Sequence, residues 1–263
     1  MKQCNAPIIS NTEVMPGVHL VWLECPDIAA LATPGQFIMV RCQGETLLRR
    51  PISVHQVNQN KSRLALLFAA VGKGTTWLAE RQKGESLDIF GPLGNGFSVS
   101  ADSKNLLLVA GGLGIAPLRF LADEAIKQGK KVTLLMGASS SVRLLPEGHL
   151  THGLLTDGVL PFNITIMKAT DDGSEGFRGL VTTLIIDKNC IDAAHQVFAC
   201  GPMPMYKAMS QMPEVKGKPV QVSLETNMAC GFGVCYGCTI KTRKGLKQVC
   251  KDGPVFDLDD IVW

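Results

Sequence analysis

The spacing of four cysteines near the C-terminus constrains this chain more than any other feature of its sequence. Cys230, Cys235, Cys238 and Cys250 follow the pattern C-x4-C-x2-C-x11-C, with glycines at positions 231, 233 and 237. Thiolates in this opening pattern are typical of plant-type [2Fe–2S] centres. The glycines allow backbone amides to approach and hydrogen-bond the cluster sulfurs. The pattern therefore predicts a [2Fe–2S] cluster, which transfers one electron at a time.

Structural zinc is the alternative interpretation of the same cysteines. Structural zinc sites favour two C-x2-C pairs, whereas here Cys235 and Cys238 alone form such a pair. A secreted disulfide framework fits less well, because the remaining cysteines are odd in number and scattered. Reduced thiols in a reducing compartment fit them better. The cysteines outside the pattern are Cys4, Cys25, Cys42, Cys190 and Cys200.

Composition and charge exclude several other classes of protein. The 263 residues carry a net charge of +3 and contain no basic block, so we expect no nucleic-acid partner. The longest apolar stretch, Leu106–Leu118, is interrupted by glycines and is too short to cross a bilayer. The N-terminus has no apolar signal-peptide core. We expect a cytoplasmic protein with no membrane partner.

The first hundred residues have the pattern of a small antiparallel barrel or sandwich. Short apolar runs alternate with glycine and proline turn signals, as in all-β domains. We predict strands over Gly17–Glu24, Gln36–Arg41, Ile52–Val57 and Leu64–Val71, and a helix over Thr75–Gln82. Residues 1–100 are thus predicted to form a β-barrel domain.

The pattern then changes twice. Continuous apolar strands alternate with helices over residues 101–224, which predicts a parallel α/β sheet. The predicted strands are Asn105–Ala110, Lys131–Met136, Asn163–Lys168, Val197–Ala199 and Val220–Leu224, with a helix over Pro117–Gln128. Residues 225–263 are rich in glycine and cysteine, and a predicted hairpin (Thr239–Thr242 and Leu246–Val249) brings Cys238 near Cys250. We therefore predict three modules: a barrel, an α/β domain and a small cluster module.

Two short motifs lie in the predicted barrel. In Arg50-Pro51-Ile52-Ser53 the guanidinium can hold a pyrophosphate and the hydroxyl can reach a flavin ring. The alternative is a surface arginine pair leading into a strand. The run 70–76 contains glycines before a predicted threonine N-cap, an arrangement that binds anions through free amides. The alternative there is an ordinary strand-to-helix turn.

Two further motifs follow strands of the predicted α/β domain. Gly111-Gly112-Leu113-Gly114 succeeds a buried strand and opens a helix, the context of a dinucleotide site. The alternative is a tight turn that binds nothing. Cys200-Gly201-Pro202 ends another strand, where open α/β sheets bind ligands. Cys200 has no nearby histidine partner, since His195 is expected at the strand start, so we predict no catalytic thiolate and no catalytic residue.

The order of these motifs resembles that of the ferredoxin–NADP reductase superfamily. The cysteine module, followed by Lys251-Asp252-Gly253-Pro254-Val255-Phe256, is similar to that of the electron-transfer subunits of class 1B dihydroorotate dehydrogenases. The resemblance covers nearly the whole chain. It implies an oxidoreductase subunit of pyrimidine (UMP) biosynthesis, in which electrons pass from FMN of a catalytic partner through a [2Fe–2S] cluster to FAD and then to NAD+. It also implies a heterotetramer of two catalytic and two electron-transfer subunits.

The resemblance also assigns residues to each cofactor. It places FAD against Arg50, Pro51, Ile52, Ser53, Leu67, Phe68, Ala69, Gly74 and Thr75, with Ala69 contributing backbone only. It places NAD against Gly111, Gly112, Gly114, Cys200, Gly201 and Pro202, and the cluster on the four cysteines. Two alternatives remain open: a reductase subunit of a hydrogenase, sulfide dehydrogenase or ferredoxin-linked transhydrogenase, and a zinc-stabilised binding module. The sequence marks no residue that distinguishes NAD from NADP.

Overall fold

The N-terminal part of the chain is a closed antiparallel barrel. The structure, a computed structural model, describes residues 1–43, 47–58, 60, 62–146, 164–186 and 188–263. Within these residues the barrel has six strands in the order β1-β2-β5-β4-β3-β6. The strands are β1 Lys2–Met15, β2 Val18–Glu24, β3 Phe37–Val40, β4 Arg50–Val57, β5 Arg63–Ala69 and β6 Ser86–Leu93. The predicted barrel is confirmed. The alternative of a sandwich is excluded because the six strands close into one continuous sheet.

Two of the barrel strands were absent from the sequence prediction. β1 and β6 pair with each other over Lys2–Pro7 and Ser86–Gly91 and so close the barrel. The alternation of β1 is weak because much of that strand is exposed. Gly91-Pro92, a pair typical of turns, lies inside β6. Gly91 is required there because a Cβ would lie 2.7 Å from the Ile38 side chain.

The middle of the chain forms a mainly parallel sheet. Its order is β10-β9-β8-β7-β11-β12-β15. The strands are β7 Asn105–Gly111, β8 Lys131–Ala138, β9 Ile164–Thr170, β10 Phe177–Arg178, β11 Gln196–Cys200, β12 Val220–Ser223 and β15 Val255–Asp257. Asn163, the predicted start of the third strand, lies outside the described residues. Its continuous apolar pattern predicts a buried strand, which is wrong up to Lys168, because these residues are exposed or only partly buried.

Helix α3 joins the barrel to this sheet. It runs over Ile115–Lys127, and eleven of its thirteen residues are buried because it packs against β4 on one side and the sheet on the other. Phe120 belongs to the barrel core and Leu121 to the core shared with the sheet. The described helices are α1 Pro26–Ala29, α2 Lys73–Ala79, α3, α4 Val181–Ile185, α5 Lys188–Ile191, α6 Met203–Gln211 and α7 Val249–Asp252.

The C-terminal segment begins and ends at the sheet. It contains the predicted hairpin, as β13 Thr239–Thr242 and β14 Gly245–Gln248. The chain then returns as β15, which pairs antiparallel with β12. This return strand was not predicted, because three residues are too few for an alternation signal. No helix in the described residues is long and apolar enough to cross a membrane.

Candidate functional site

The four C-terminal cysteines lie together in two pairs. The Cys250 amide donates to Sγ of Cys238 at 3.4 Å, because pairing of Thr239 with Gln248 holds the two ends of the hairpin side by side. Cys230 is hydrogen-bonded to Cys235 at the other end of the loop. Cys235 is exposed, whereas Cys238 and Cys250 are buried. Two thiol pairs are what the two irons of a [2Fe–2S] cluster require.

The surroundings of the cysteines shift the pKa values of two of the thiols in opposite directions. Burial acts to raise the pKa of Cys230, but amides of Phe232, Cys235 and Val234 donate to its sulfur and hold the pKa at about 6. Burial and the neighbouring Cys238 raise the pKa of Cys250 to about 12. Crowded thiols of this kind need a positive centre to deprotonate together, which iron would supply.

The residues present fit an iron–sulfur cluster better than a single metal ion. Within the described residues, no three histidine, cysteine or acidic side chains converge on one ion position. A binuclear cluster spreads its four thiolates over two irons and does not need such convergence. The buried Nε2 of Gln248 has no hydrogen-bond partner among the described residues, and its Oε1 lies 3.0 Å from where a Cβ of Gly233 would stand. An unpaired donor beside this loop fits a sulfur acceptor.

The cysteine loop packs directly against the barrel. A Cβ on Gly231 would lie 2.6 Å from the Met39 side chain on β3, so glycine is required for this approach. Phe232 meets Phe90 of β6 edge to face at 5.9 Å between ring centroids. Met39 is paired across the ladder with Pro51. The loop therefore lies one strand away from the Arg50–Ser53 motif.

Arg50 and the start of α2 form the polar end of the barrel site. A Cβ on Gly74 would lie 2.9 Å from Nε of Arg50, so the guanidinium lies over the helix start. Gly72, and not a threonine, is the N-cap, and α2 begins at Lys73, two residues before the predicted start. The Thr75 hydroxyl accepts hydrogen bonds from the Val71 and Gly72 amides and so closes the loop. The predicted threonine cap is wrong, while Arg50, Gly74 and Thr75 do lie together.

The rest of the predicted flavin motif lies on two adjacent strands. β4 and β5 pair antiparallel, with Val54 opposite Leu66. Ile52, Leu67 and Phe68 are buried in apolar cores, so these residues present backbone and not side chain to a ligand outside the barrel. Ser53 is only half-buried.

The glycine motifs meet in one cleft of about 500 Å³ at the carboxyl ends of the parallel strands. Gly111 ends β7 and Gly201 follows β11, the neighbouring strands at which the chain order reverses. This topological switch is where open α/β sheets bind nucleotides. The described lining residues are Gly111, Gly112, Leu113, Gly114, Gly137, Ala138, Ser139, Asp171, Leu180, Val181, Thr182, Gly201, Pro202, Pro204, Met205, Ala208 and Glu225.

Cys200 lies beneath the cleft and does not line it. Burial raises the pKa of its thiol, and the residue is 1% exposed. The contact of Cys200 with NAD and the absence of a catalytic thiolate both stay predictions. A Cβ on Gly114 would stand 1.8 Å from the Cys200 carbonyl oxygen, so the turn and β11 are in contact. The Tyr206 hydroxyl accepts from the Gly201 amide at 2.7 Å and donates to the Ser223 carbonyl at 2.6 Å. This bridge fixes the floor of the cleft.

Several residues of these sites were missed from the sequence. Asp171 and Glu225 line the cleft, and Thr226 has a buried hydroxyl with no hydrogen-bond partner among the described residues. Asp171 directly follows β9, so the rule that ligands bind at the carboxyl ends of parallel strands identifies it once that strand is placed. Glu225 and Thr226 connect β12 to the cysteine loop.

The barrel, the nucleotide cleft and the cysteine loop together define a ferredoxin–NADP reductase-like oxidoreductase with an appended iron–sulfur domain. A family profile for the iron-sulfur cluster binding domain of dihydroorotate dehydrogenase B matches residues 225–262, and one for an oxidoreductase NAD-binding domain matches 108–211. The chain is 38% identical to the dihydroorotate dehydrogenase B (NAD(+)) electron transfer subunit of Desulforamulus reducens, over 100% of this chain and 99% of that one. The chain belongs to this family of electron transfer subunits.

Other relatives agree with this assignment. The corresponding subunit of Caldanaerobacter subterraneus subsp. tengcongensis is 37% identical over 98% of both chains. Among solved structures, an NADH-dependent reduced ferredoxin-NADP oxidoreductase is 27% identical with a TM-score of 0.86, covering 99% of this chain and 90% of that one. A ferredoxin NADP+ reductase from Neisseria gonorrhoeae shares the fold at 18% identity and a TM-score of 0.64, covering 80% of this chain and 90% of that one.

Proposed function

We propose that this chain carries electrons between a catalytic subunit that oxidises dihydroorotate and NAD+, in pyrimidine biosynthesis. The observation that carries the proposal is the packing of Gly231 on Met39, whose cross-strand neighbour is Pro51. A cluster held by Cys230 would then lie beside the strand that carries the flavin motif. Short separation is what electron transfer between two such centres needs.

Each part of the chain has a separate role in this proposal. Residues 1–100 would bind FAD, 101–224 NAD and 225–263 the cluster. Bound FAD supplies the exchange between two-electron hydride chemistry and one-electron transfer, which no side chain provides. The guanidinium of Arg50 would hold the FAD pyrophosphate, and the β4 and β5 backbones would orient the ring. The cleft at Gly111–Gly114 and Gly201 would hold the nicotinamide nucleotide.

The surface around Cys235 supports docking of the catalytic partner, proposed to contain FMN. Phe232, Val234 and Tyr236 are 45%, 63% and 71% exposed, and they flank the exposed Cys235. Contiguous apolar side chains of this kind mark protein interfaces. We propose a heterotetramer of two subunits of each type.

None of the nine cysteines forms a disulfide, which supports a cytoplasmic location.

A second candidate is a reductase subunit that exchanges electrons with a different partner. The structural similarity to an NADH-dependent reduced ferredoxin-NADP oxidoreductase, at a TM-score of 0.86 and 27% identity, favours it. Both candidates use the same cofactors and differ in the protein that meets the cluster surface. Identification of the partner protein therefore separates the two candidates.

Co-expression with an FMN-containing dihydroorotate dehydrogenase subunit tests the proposal. We expect a stable complex with iron, FMN and FAD that reduces NAD+ when dihydroorotate is added. The variant Tyr236→Asp places a charge on the docking surface. It should weaken the complex, while electron transfer from NADH to a dye persists. A flavin-containing protein that neither associates with this partner nor accepts its electrons would favour the second candidate.

A zinc-stabilised binding module gives a different result in the same preparation. Such a protein would be colourless and would contain zinc without flavin or iron. That outcome would contradict both redox proposals.

A further inference from the structure

The nucleotide cleft has an unusual balance of charge. Among the described residues that line it, the charged side chains are Asp171 and Glu225, and lysine and arginine are absent. The sequence of residues 147–163, which lies outside the described part, also contains no lysine or arginine. Backbone amides would therefore bind the phosphates of a dinucleotide in this cleft, and the two carboxylates would face other parts of the ligand.

The two carboxylates stand at opposite ends of the cleft. Asp171 follows β9 and Glu225 follows β12, and the sheet order between them is β9-β8-β7-β11-β12. Four intervals of about 4.8 Å separate the two strands by roughly 19 Å. The Glu225 end continues into the cysteine loop. In the proposed function the nicotinamide meets the flavin on that side, which leaves the Asp171 end for the adenosine half.

The adenosine end lacks the carboxylate where a dinucleotide fold ordinarily has it. The usual acceptor for the ribose hydroxyls follows the second strand, about 20 residues beyond the glycine turn. Here the second strand, β8, ends in Gly137-Ala138 and is followed by Ser139. The Asp171 amide donates to the Ala138 carbonyl at 3.0 Å, so Asp171 lies directly beside this vacant position.

The turn that carries Asp171 is held in place by its own hydrogen bonds. The Thr170 hydroxyl donates to the Glu175 carbonyl at 2.8 Å and accepts from the Glu175 amide at 3.0 Å. The Gly179 amide donates to the Thr170 carbonyl at 2.9 Å. The backbone that carries Asp171 is therefore already ordered, which reduces the entropy lost when its carboxylate accepts a hydrogen bond from a ligand.

We propose that Asp171 is the residue that selects NAD over NADP, by accepting hydrogen bonds from the adenosine ribose and repelling a 2′-phosphate. The inference rests on the proposed function of the cleft and adds its nucleotide specificity. Asp171 takes the place of the missing carboxylate after β8. Because Asp171 is exposed to solvent, salt screens its repulsion of the phosphate and limits the expected change for each nucleotide to about tenfold.

Titration calorimetry of the purified complex tests this with NAD+ and NADP+ as the two probes, independently of turnover. We expect the unaltered protein to prefer NAD+, and Asp171→Asn to weaken NAD+ and strengthen NADP+ by about tenfold each. Asp171→Ser is a second variant that removes the charge without introducing a side-chain amide. Asp172→Asn is the matched control, because Asp172 accepts from the Ser174 amide and hydroxyl and does not line the cleft.

The outcomes separate the inference from the function beneath it. A fall in the NAD+/NADP+ preference in both Asp171 variants, with the Asp172→Asn ratio unchanged, supports the inference. An unchanged preference in Asp171→Asn and Asp171→Ser overturns it, while NAD+ binding still supports the cleft. Failure of the unaltered complex to bind either nucleotide would overturn the cleft assignment as well.

Discussion

A buried polar cluster joins the flavin strand to the helix that follows the nucleotide turn. Asp123 on α3 accepts from Arg119 Nε at 2.9 Å and from Gln56 Nε2 at 3.0 Å. His55 Nδ1 lies 2.9 Å from the Ala116 carbonyl, so Nδ1 carries the proton. Arg119 and Gln56 are 1% and 2% exposed. Asp123→Ala should therefore destabilise the junction of barrel and sheet.

The size of the effect follows from what the substitution leaves behind. The Arg119 guanidinium would remain buried without its carboxylate, and removal of one partner of a buried ion pair costs about 3–5 kcal/mol. For a chain of this size, each kcal/mol lowers the melting temperature by about 2–4 °C. We expect Asp123→Ala to melt about 6–20 °C below the unaltered protein.

The assay is thermal unfolding of the flavin-loaded protein, followed by circular dichroism and by flavin fluorescence. The matched control is the triple variant Gln56→Leu, Arg119→Met and Asp123→Leu, which removes both charges of the ion pair together and should lie within about 2 kcal/mol of the unaltered protein. Both signals should fall together in Asp123→Ala, because the cluster joins the flavin strand to α3. A loss below about 1 kcal/mol in Asp123→Ala, or an equal loss in the triple variant, would refute this reasoning.

Three further substitutions test other parts of the structure. Cys235→Ser should abolish the iron–sulfur absorbance while keeping FAD and NADH-to-dye activity. The control Cys4→Ser, outside the cysteine loop, should keep the absorbance, FAD and the activity. Loss of FAD from Cys235→Ser would show that the sites are not separable. Gly114→Ala should lose NAD+ binding in calorimetry, because its Cβ would stand 1.8 Å from a carbonyl oxygen; retained binding would contradict the close contact. Burial acts to raise the pKa of Asp88, but hydrogen bonds from Arg49 and Gln3 hold it below its usual range. The ionised Asp88 carboxylate stabilises the folded protein at pH values above its pKa in the unfolded chain, about 3.9. This contribution is lost as the pH falls through the lower pKa that Asp88 has in the folded protein. Urea unfolding at low pH should thus show Asp88→Asn losing less stability than the unaltered protein, by under about 1 kcal/mol; identical acid limbs would contradict the pKa assignment.

The elements that the sequence predicted best are those with strong local signals. β7 and β8 are continuous apolar runs, and their predicted and observed positions differ by two residues at most. The sequence did not predict β1 and β15, because each forms a strand by pairing with a segment that is distant in the chain. β1 is largely exposed and β15 has three residues, so neither carries a periodic pattern of its own.

The candidate sites were predictable where a motif encodes backbone geometry. The glycines at 111, 112 and 114 are needed for a turn that touches β11, and the sequence pattern states that need directly. Asp171 and Gln248 carry no such pattern, because their relation to a site depends on which strands become neighbours. The role of Met39 could not be predicted for the same reason, although its contact with Gly231 brings the cysteine loop to the barrel.

The position of the cysteine loop depends on the sheet more than on the loop itself. Its N-terminal end continues from β12, and its C-terminal end returns as β15, which pairs with β12 between Ser223 and Val255. The Leu224 amide also donates to the Pro254 carbonyl at 2.9 Å. Both ends of the loop are therefore fixed at one strand, beside the nucleotide cleft. A segment closed at its base loses less entropy when it orders around a ligand, so the small loop can hold its thiols beside the barrel with little core of its own.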